Sequence, residues 1–191
     1  NYKRPVDTTE CVLSLKRSTY RSLQILVLDN DSGDDVESRI KEVAPDVETL
    51  QTGRNLGFAG GNNVGIRFAM EQNPEYILLL NNDTLVEPDF LNELVVALEA
   101  DENAAAATGI ICYFPEKERI WYAGGDFIPW RVGSFTRGVG EKYESPKHRT
   151  ADSVTFISGC MMLIRTSALR NVGLFDERFF MYHEDAEFSM R

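Results

Sequence analysis

The sequence predicts an α/β fold, a mostly parallel sheet flanked by helices with a mixed second half, and three observations carry that reading. Short β-rich runs alternate with stretches of helical period through residues 1–113. The run at 76–80 is apolar enough to be covered on both faces, as a parallel strand is. Oxygen-rich residues follow the ends of separate strands, which is where open α/β sheets hold their ligands.

Asp7-x-x-Glu10 reads as a capping box for a short helix over about 7–18, with Cys11, Val12 and Leu15 on one side. A β-rich run within 22–30 then breaks at Asp29-Asn30-Asp31-Ser32-Gly33. Asp34 or Asp35 caps a second helix, in which Val36, Ile40 and Val43 recur until Pro45 stops it. An alternating edge strand at 47–51 leads to a loop, 52–63, whose Gly53, Gly57, Gly60 and Gly61 permit close backbone approach to a ligand. A helix from Asn62 or Asn63 to about Gln72 buries Val64 and Phe68.

The apolar strand at 76–84 stops at Asn81-Asn82-Asp83, and Pro88 opens a helix bearing Phe90, Leu91, Leu94, Val95 and Leu98. Residues 104–113 read as one more buried strand. The stretch 114–153 is aromatic and polar without a clear period, and reads as hairpins and loops over one end of the sheet. Two β-like runs, 154–157 and 161–164, precede a brief helix capped by Thr166 and ended by Gly173; a last helix opens near Glu184-Asp185. Nothing marks a linker or repeat, so 1–191 is one domain.

Composition excludes several classes. Twenty Lys+Arg against 30 Asp+Glu leave a net charge of −10, which argues against a nucleic-acid surface. An anionic ligand would need local neutralisation. Three cysteines, Cys11, Cys112 and Cys160, show neither a CxxC pair nor zinc spacing and fit a reducing cytoplasm. No apolar stretch approaches the roughly 18–20 residues needed to span a bilayer.

Asn81-x-Asp83 is a candidate metal or phosphate site, with an Asx turn as the alternative. One carboxylate such as Asp83 suits Mg²⁺ or Mn²⁺, which completes its shell with phosphate and water. The loop at 52–63 carries neither a Walker A nor a dinucleotide fingerprint. In His183-Glu184-Asp185-x-Glu187 a carboxylate can serve as a first-turn helix residue or as a general base. His183 has no His or Cys at metal spacing and is read as structural. The aromatic stretch 121–135, with Trp121 and Trp130, is a candidate acceptor contact, with core packing as the alternative.

Taken in order, these motifs carry a resemblance. Asn1-Tyr2-Lys3-Arg4-Pro5, Val27-Leu28-Asp29-Asn30-Asp31-Ser32, Asn55-Leu56-Gly57-Phe58-Ala59-Gly60-Gly61-Asn62, Leu80-Asn81-Asn82-Asp83-Thr84, Ser158-Gly159-Cys160, Gly173-Leu174-Phe175-Asp176-Glu177 and Glu184-Asp185 are similar to family 2 glycosyltransferases of the rhamnosyltransferase-like branch.

The resemblance implies a GT-A fold and an inverting transfer from a nucleotide-diphosphate sugar to a carbohydrate or lipid-linked acceptor, with a divalent cation, in the cytoplasm or at the cytoplasmic face of a membrane. Residues 1–113 become the nucleotide-binding half and 114–191 the acceptor and catalytic half. Asp29 takes the base contact, with Asn30 and Ser32 beside it; Asn55, Gly60, Gly61 and Asn62 shape the donor pocket. Asn81 and Asn82 also bind the donor and lead into the metal ligand Asp83, and Asp185 is the base. Asn81 replaces the first Asp of the usual metal element. The resemblance also implies a strand before Asn1 and helices after Arg191. A nucleotidyltransferase, or an inactive sugar-nucleotide-binding fragment, is the alternative.

Overall fold

A computed structural model describes residues 1–128, 133–145 and 150–191. α1 (Pro5–Leu15) takes proline in its first turn, where the missing N–H is no loss, and buries Cys11, Val12 and Leu15. It begins before Asp7, so Asp7-x-x-Glu10 lies inside the helix and caps nothing; Arg4 holds the N-cap and pairs with Asp7 at 3.0 Å.

β1 (Leu26–Asp29), α2 (Val36–Val43) and β2 (Glu48–Gln51) form a β-α-β unit. The strands are parallel, with Leu26 opposite Glu48 and Asp29 opposite Gln51. Asp34 receives the Val36 N–H at 3.1 Å, and Val12, Val27, Val36, Ile40 and Ala44 close the core between helices and strand. α3 (Gly57–Glu71) opens well before Asn62, so Gly57, Gly60 and Gly61 belong to its first turns and not to a loop. The missing side chain of Gly61 lets the helix settle on β1, since a Cβ there would stand 3.2 Å from the Asn30 amide and 3.4 Å from Leu28.

β3 (Tyr76–Leu80) and α4 (Phe90–Glu99) follow. The expected single strand at 104–113 is two, β4 (Ala106–Ala107) and β5 (Ile111–Cys112). They separate where the Thr108 hydroxyl takes the Met161 carbonyl at 2.8 Å and Gly109 packs on Met161, ending the ladder.

β6 (Ile120–Tyr122) pairs with β5, and β7 (Gly125–Phe127) with β8 (Ser134–Thr136). Arg137 ties this layer together through Asp126 (2.6 Å), Asp152 (2.8 Å) and the Ser153 carbonyl (3.0 Å). Residues 154–157 form no strand and contribute one bridge, Phe156 to Gly125, because the amides of Thr155 and Phe156 share the Gly125 carbonyl.

β9 (Met161–Arg165) is buried on both faces and sits between β3 and β4, antiparallel to each. Its alternation serves two cores. Met162 and Ile164 meet Ile66, Ile77 and Leu79 beneath α3, whereas Met161 and Leu163 meet Leu91, Leu94 and Leu98 of α4. Parallel pairing is therefore confined to β1 and β2 among the described residues.

α5 (Thr166–Val172) has Arg165 at its N-cap; Thr166 is its first residue and its buried hydroxyl has no partner, so it is not the cap. Gly173, at φ 87°, closes the helix, and α6 (Glu184–Met190) ends the chain. Strands β1 and β3 share no ladder and face one another across a cavity of about 1720 Å³. Residues 1–4 form no strand. Asn1 lies at the cavity's edge, its amine donating to the Leu28 carbonyl at 2.5 Å.

Because β9 joins two cores, Ile164→Ala should destabilise the protein by about 2–5 kcal/mol in chemical denaturation. Val96→Ala, on the solvent side of α4, should stay within about 0.5 kcal/mol.

Candidate functional site

β3 ends at Leu80, and the chain turns at once. The Asn81 N–H donates to the Cys160 carbonyl (2.9 Å), its carbonyl receives the Thr84 hydroxyl (2.7 Å), and the Asn82 amide donates to Thr8 (2.8 Å). Asp83 is left exposed at the cavity, its carboxylate bonded to no described residue. Asn81 and Asn82 line the same cavity. Burial, with the Asp83 charge adding to it, pushes the Cys160 thiol up to about 12. That thiol stays protonated beside the turn.

At the end of β1 the pattern is opposite. Asp29 is 2% exposed, and its carboxylate accepts from the Ser32 hydroxyl, from the Asn1 amide (2.9 Å) and from the Ser32 N–H (3.4 Å). Burial pushes its pKa up, but the hydrogen bonds from Ser32, Asn1 and Gln51 prevail and hold it below the usual value. Asp29 and Ser32 thus face inward, while Asn1 and Asn30 line the cavity.

Asn30 organises the neighbouring loop. Its amide donates to the Gly57 carbonyl (2.9 Å) and Asn55 Oδ1 (3.1 Å), and its carbonyl oxygen accepts from the Leu56 N–H (2.9 Å). Asn55 in turn accepts the Gly57 N–H at 2.9 Å. Asn55, Gly61 and Asn62 line the cavity; Gly60 is turned against Leu56, where a Cβ would stand 2.9 Å from the Leu56 Cβ.

The opposite wall comes from the segment before α6. Tyr182 and His183 both adopt the left-handed region (φ 71° and 72°), an arrangement that costs on the order of 1–3 kcal/mol per residue unless neighbours enforce it. The enforcement is visible. The Phe58 N–H donates to the Phe180 carbonyl at 2.7 Å, and a Cβ on Gly57 would sit 2.2 Å from that oxygen. Buried Asn63 donates to the Phe175 carbonyl and to Glu177 Oε1 (both 2.9 Å) and accepts the Phe175 N–H (3.0 Å).

So held, Asp185 receives the Gly159 N–H on Oδ2 (2.9 Å) and the Ala186 N–H on Oδ1 (2.8 Å), at the same cavity as Asp83. Glu184 beside it is buried, which pushes its pKa up. The two adjacent carboxyl groups therefore occupy different environments. His183 is the N-cap of α6 through its backbone.

Sequence reasoning placed Asn63 in the polar loop 52–63 and Gly159 in Ser158-Gly159-Cys160 without giving either a role at the site, and it missed Tyr122. The buried Tyr122 hydroxyl donates to the Phe156 carbonyl (2.7 Å) and accepts the Ser158 N–H (3.1 Å), and burial pushes its pKa up to about 12. Trp121 lines the cavity, and Trp130 lies outside the described residues.

Among the described residues no three His, Cys, Asp or Glu side chains gather as a metal cage. Mg²⁺ and Mn²⁺ do not require one, since one or two carboxylates suffice when phosphate oxygens and water complete the shell. The unpartnered carboxylate of Asp83 fits that kind of ion.

A β-α-β unit with polar turns at its carboxyl edge, facing a fixed carboxylate across a cavity, is a ligand-binding α/β arrangement, and its match to solved structures gives the fold as GT-A. The mannosyltransferase PcManGT from Pyrobaculum calidifontis, solved with GDP-Man and Mn²⁺, superposes with a TM-score of 0.67 at 16% identity, over 98% of this chain and 48% of that one. The family model for glycosyl transferase family 2 matches residues 1–173, and the chain belongs to that family. Curated relatives include a low-salt glycan biosynthesis hexosyltransferase, Agl10, of Haloferax volcanii (28% identical, 88% of this chain and 52% of that protein). Another is the N-acetylglucosaminyl-diphospho-decaprenol L-rhamnosyltransferase of Mycobacterium tuberculosis (27%, 93% and 63%). The chain spans 52% and 63% of the length of these two relatives.

Gly57→Ala should force the 179–183 segment off α3 and cost more than about 1 kcal/mol, with faster amide hydrogen exchange at 179–185. Gly53→Ala shares the positive φ (72°) but has nothing within 4 Å, so it should leave exchange in that segment unchanged.

Proposed function

We propose that this chain transfers a sugar from a nucleoside-diphosphate sugar to an acceptor hydroxyl, with inversion at the anomeric carbon. The observation that carries the reading is one cavity lined by two unlike carboxylates, Asp83 exposed and unpartnered and Asp185 anchored by the Gly159 N–H. Membership of glycosyl transferase family 2 supports the reaction class.

Asp185 accepts the proton of the acceptor hydroxyl as its oxygen attacks the anomeric carbon from the face opposite the diphosphate. The bond from that carbon to the diphosphate oxygen breaks, and the electron pair leaves with the diphosphate. The amides of Gly159 and Ala186 hold the carboxylate in one orientation, which favours a single line of approach. Asp83 would hold a divalent cation, Mg²⁺ or Mn²⁺, whose chemistry when bound is to neutralise charge on the departing diphosphate. The Mn²⁺ of the mannosyltransferase supports that assignment, as does a net charge of −10, which leaves an anionic donor in need of a counter-charge.

Asn30, Asn55, Gly61 and Asn62 shape the donor side, with Gly60 packing behind them. Asp29, Ser32 and Asn1 form its rigid floor, and Asn81 and Asn82 fix the turn that presents Asp83. The acceptor named for the mycobacterial relative, a sugar on a diphospho-decaprenol, supports a lipid-linked sugar here. No helix among the described residues is long and apolar enough to cross a membrane.

Asp185→Asn should lower transfer at least about 100-fold, with nucleoside diphosphate affinity retained. Asp83→Ala should remove the gain in nucleoside diphosphate affinity produced by Mn²⁺ and leave metal-free binding unchanged. Nucleoside diphosphate release from a panel of nucleotide sugars, with calorimetric titration of the free diphosphates, measures both. Undiminished transfer by Asp185→Asn would overturn the assignment.

A further inference from the structure

β6 presents three aromatic or aliphatic side chains on two faces. Ile120 and Tyr122 are 0% and 1% exposed, whereas Trp121 between them is 39% exposed and lines the cavity. Its indole N–H donates to no described residue. Packing into the core, the ordinary fate of a tryptophan, is not what this residue does.

The strand also fixes where Trp121 stands relative to the catalytic carboxylate. The next residue, Tyr122, accepts the Ser158 N–H at 3.1 Å, and the following amide, Gly159, donates to Asp185 at 2.9 Å. Gly159 is itself backed by the Phe58 ring, which a Cβ there would meet at 3.0 Å. Two peptide bonds, the Tyr122 side chain and two hydrogen bonds thus connect the Trp121 backbone to the proposed base. The donor-side residues Asn30 and Asn55 belong to a different part of the chain, linked directly to each other at 3.1 Å.

We infer that Trp121 is the platform on which the sugar ring of the acceptor packs, and that it selects acceptors by the apolar face of that ring. The inference rests on the reading of Asp185 as the base. A base must touch the hydroxyl it deprotonates, so an exposed aromatic side chain that lines the same cavity, on the strand that braces that base's anchor, serves the acceptor. Tryptophan suits the task because its flat ring covers the C–H face of a sugar while its free N–H remains available to a hydroxyl. Met181 and Tyr182, both exposed, line the same cavity and extend the surface.

The sequence holds two tryptophans, so Trp130→Phe in the full-length enzyme leaves Trp121 as the only indole within this chain. The probe is whichever of a panel of short-chain alkyl glycosyl diphosphates the unsubstituted enzyme turns over. Its titration should change the tryptophan emission saturably, with or without nucleoside diphosphate present, and that change should be absent when Trp121→Phe is added. Trp121→Ala should raise the acceptor KM about tenfold while donor hydrolysis stays within about twofold, and Trp121→Phe should fall between. Emission that does not respond at probe concentrations supporting turnover would overturn the inference. So would an unchanged acceptor KM, or a matching loss of donor hydrolysis. Failure of the underlying reaction reads differently: the unsubstituted enzyme would neither hydrolyse donor nor turn over any acceptor. If Trp121→Ala does not fold, the emission titration and Trp121→Phe decide the matter.

Discussion

The antiparallel pairing of β3 with β9 is the constraint on which the rest of the site depends. Leu80 lies opposite Met161, and the Asn81 N–H continues the ladder by one bond to the Cys160 carbonyl. That register places Ser158-Gly159-Cys160 alongside Asn81-Asn82-Asp83, although the two stretches are far apart in sequence. Gly159 then captures Asp185, so the exposed carboxylate and the anchored one are referred to a single ladder. A slip of one residue would reverse every side chain of β9 between its two cores, which is why the register is firmly specified.

Side-chain amides, one buried and one at the cavity, do for the loops what the ladder does for the strands. Asn30 and Asn63 each satisfy both the donor and acceptor sides of their side chains against backbone or side-chain partners. Asn30 folds 52–56 onto the start of α3, and Asn63 holds 175–177 to the middle of the same helix. An unsatisfied buried amide costs roughly 1–3 kcal/mol, so either residue loses its purpose if its partner segment moves away. The left-handed pair Tyr182 and His183 is tolerated inside this frame because Phe58 and Gly57 leave the Phe180 carbonyl one place to go.

Asp29 shows how chemistry at a strand end can be legible while its geometry is not. An acidic residue after an apolar strand marks a ligand edge, and the chain does bring that edge to the cavity. Its carboxylate is nevertheless turned onto Ser32 and Asn1, and the neighbouring Asn30 faces outward. The glycine run 57–61 was similarly readable as a place of close approach, but the partners of that approach are Leu28, Asn30, Leu56 and Phe180. The split of 104–113 escaped detection because Thr108 ends the β4 ladder through a side-chain bond to a strand more than fifty residues later.

The sequence by itself determined the α/β class, the run of helices and strands through 80, and the residue types at the strand ends, because periodicity and turn chemistry are local. Asp83 could be singled out for the same reason, since it follows an abrupt change from apolar to oxygen-rich side chains, whereas Asp185 was set apart from Glu184 only by the family resemblance. Tertiary structure alone decided that β9 enters between β3 and β4, that Asp185 hangs from Gly159, and that Asn63 and Tyr122 brace the wall behind it. Those contacts join residues dozens of positions apart, and no local pattern encodes which distant amide will meet which carboxylate. The two-sided burial of β9 likewise makes sense only once both cores exist.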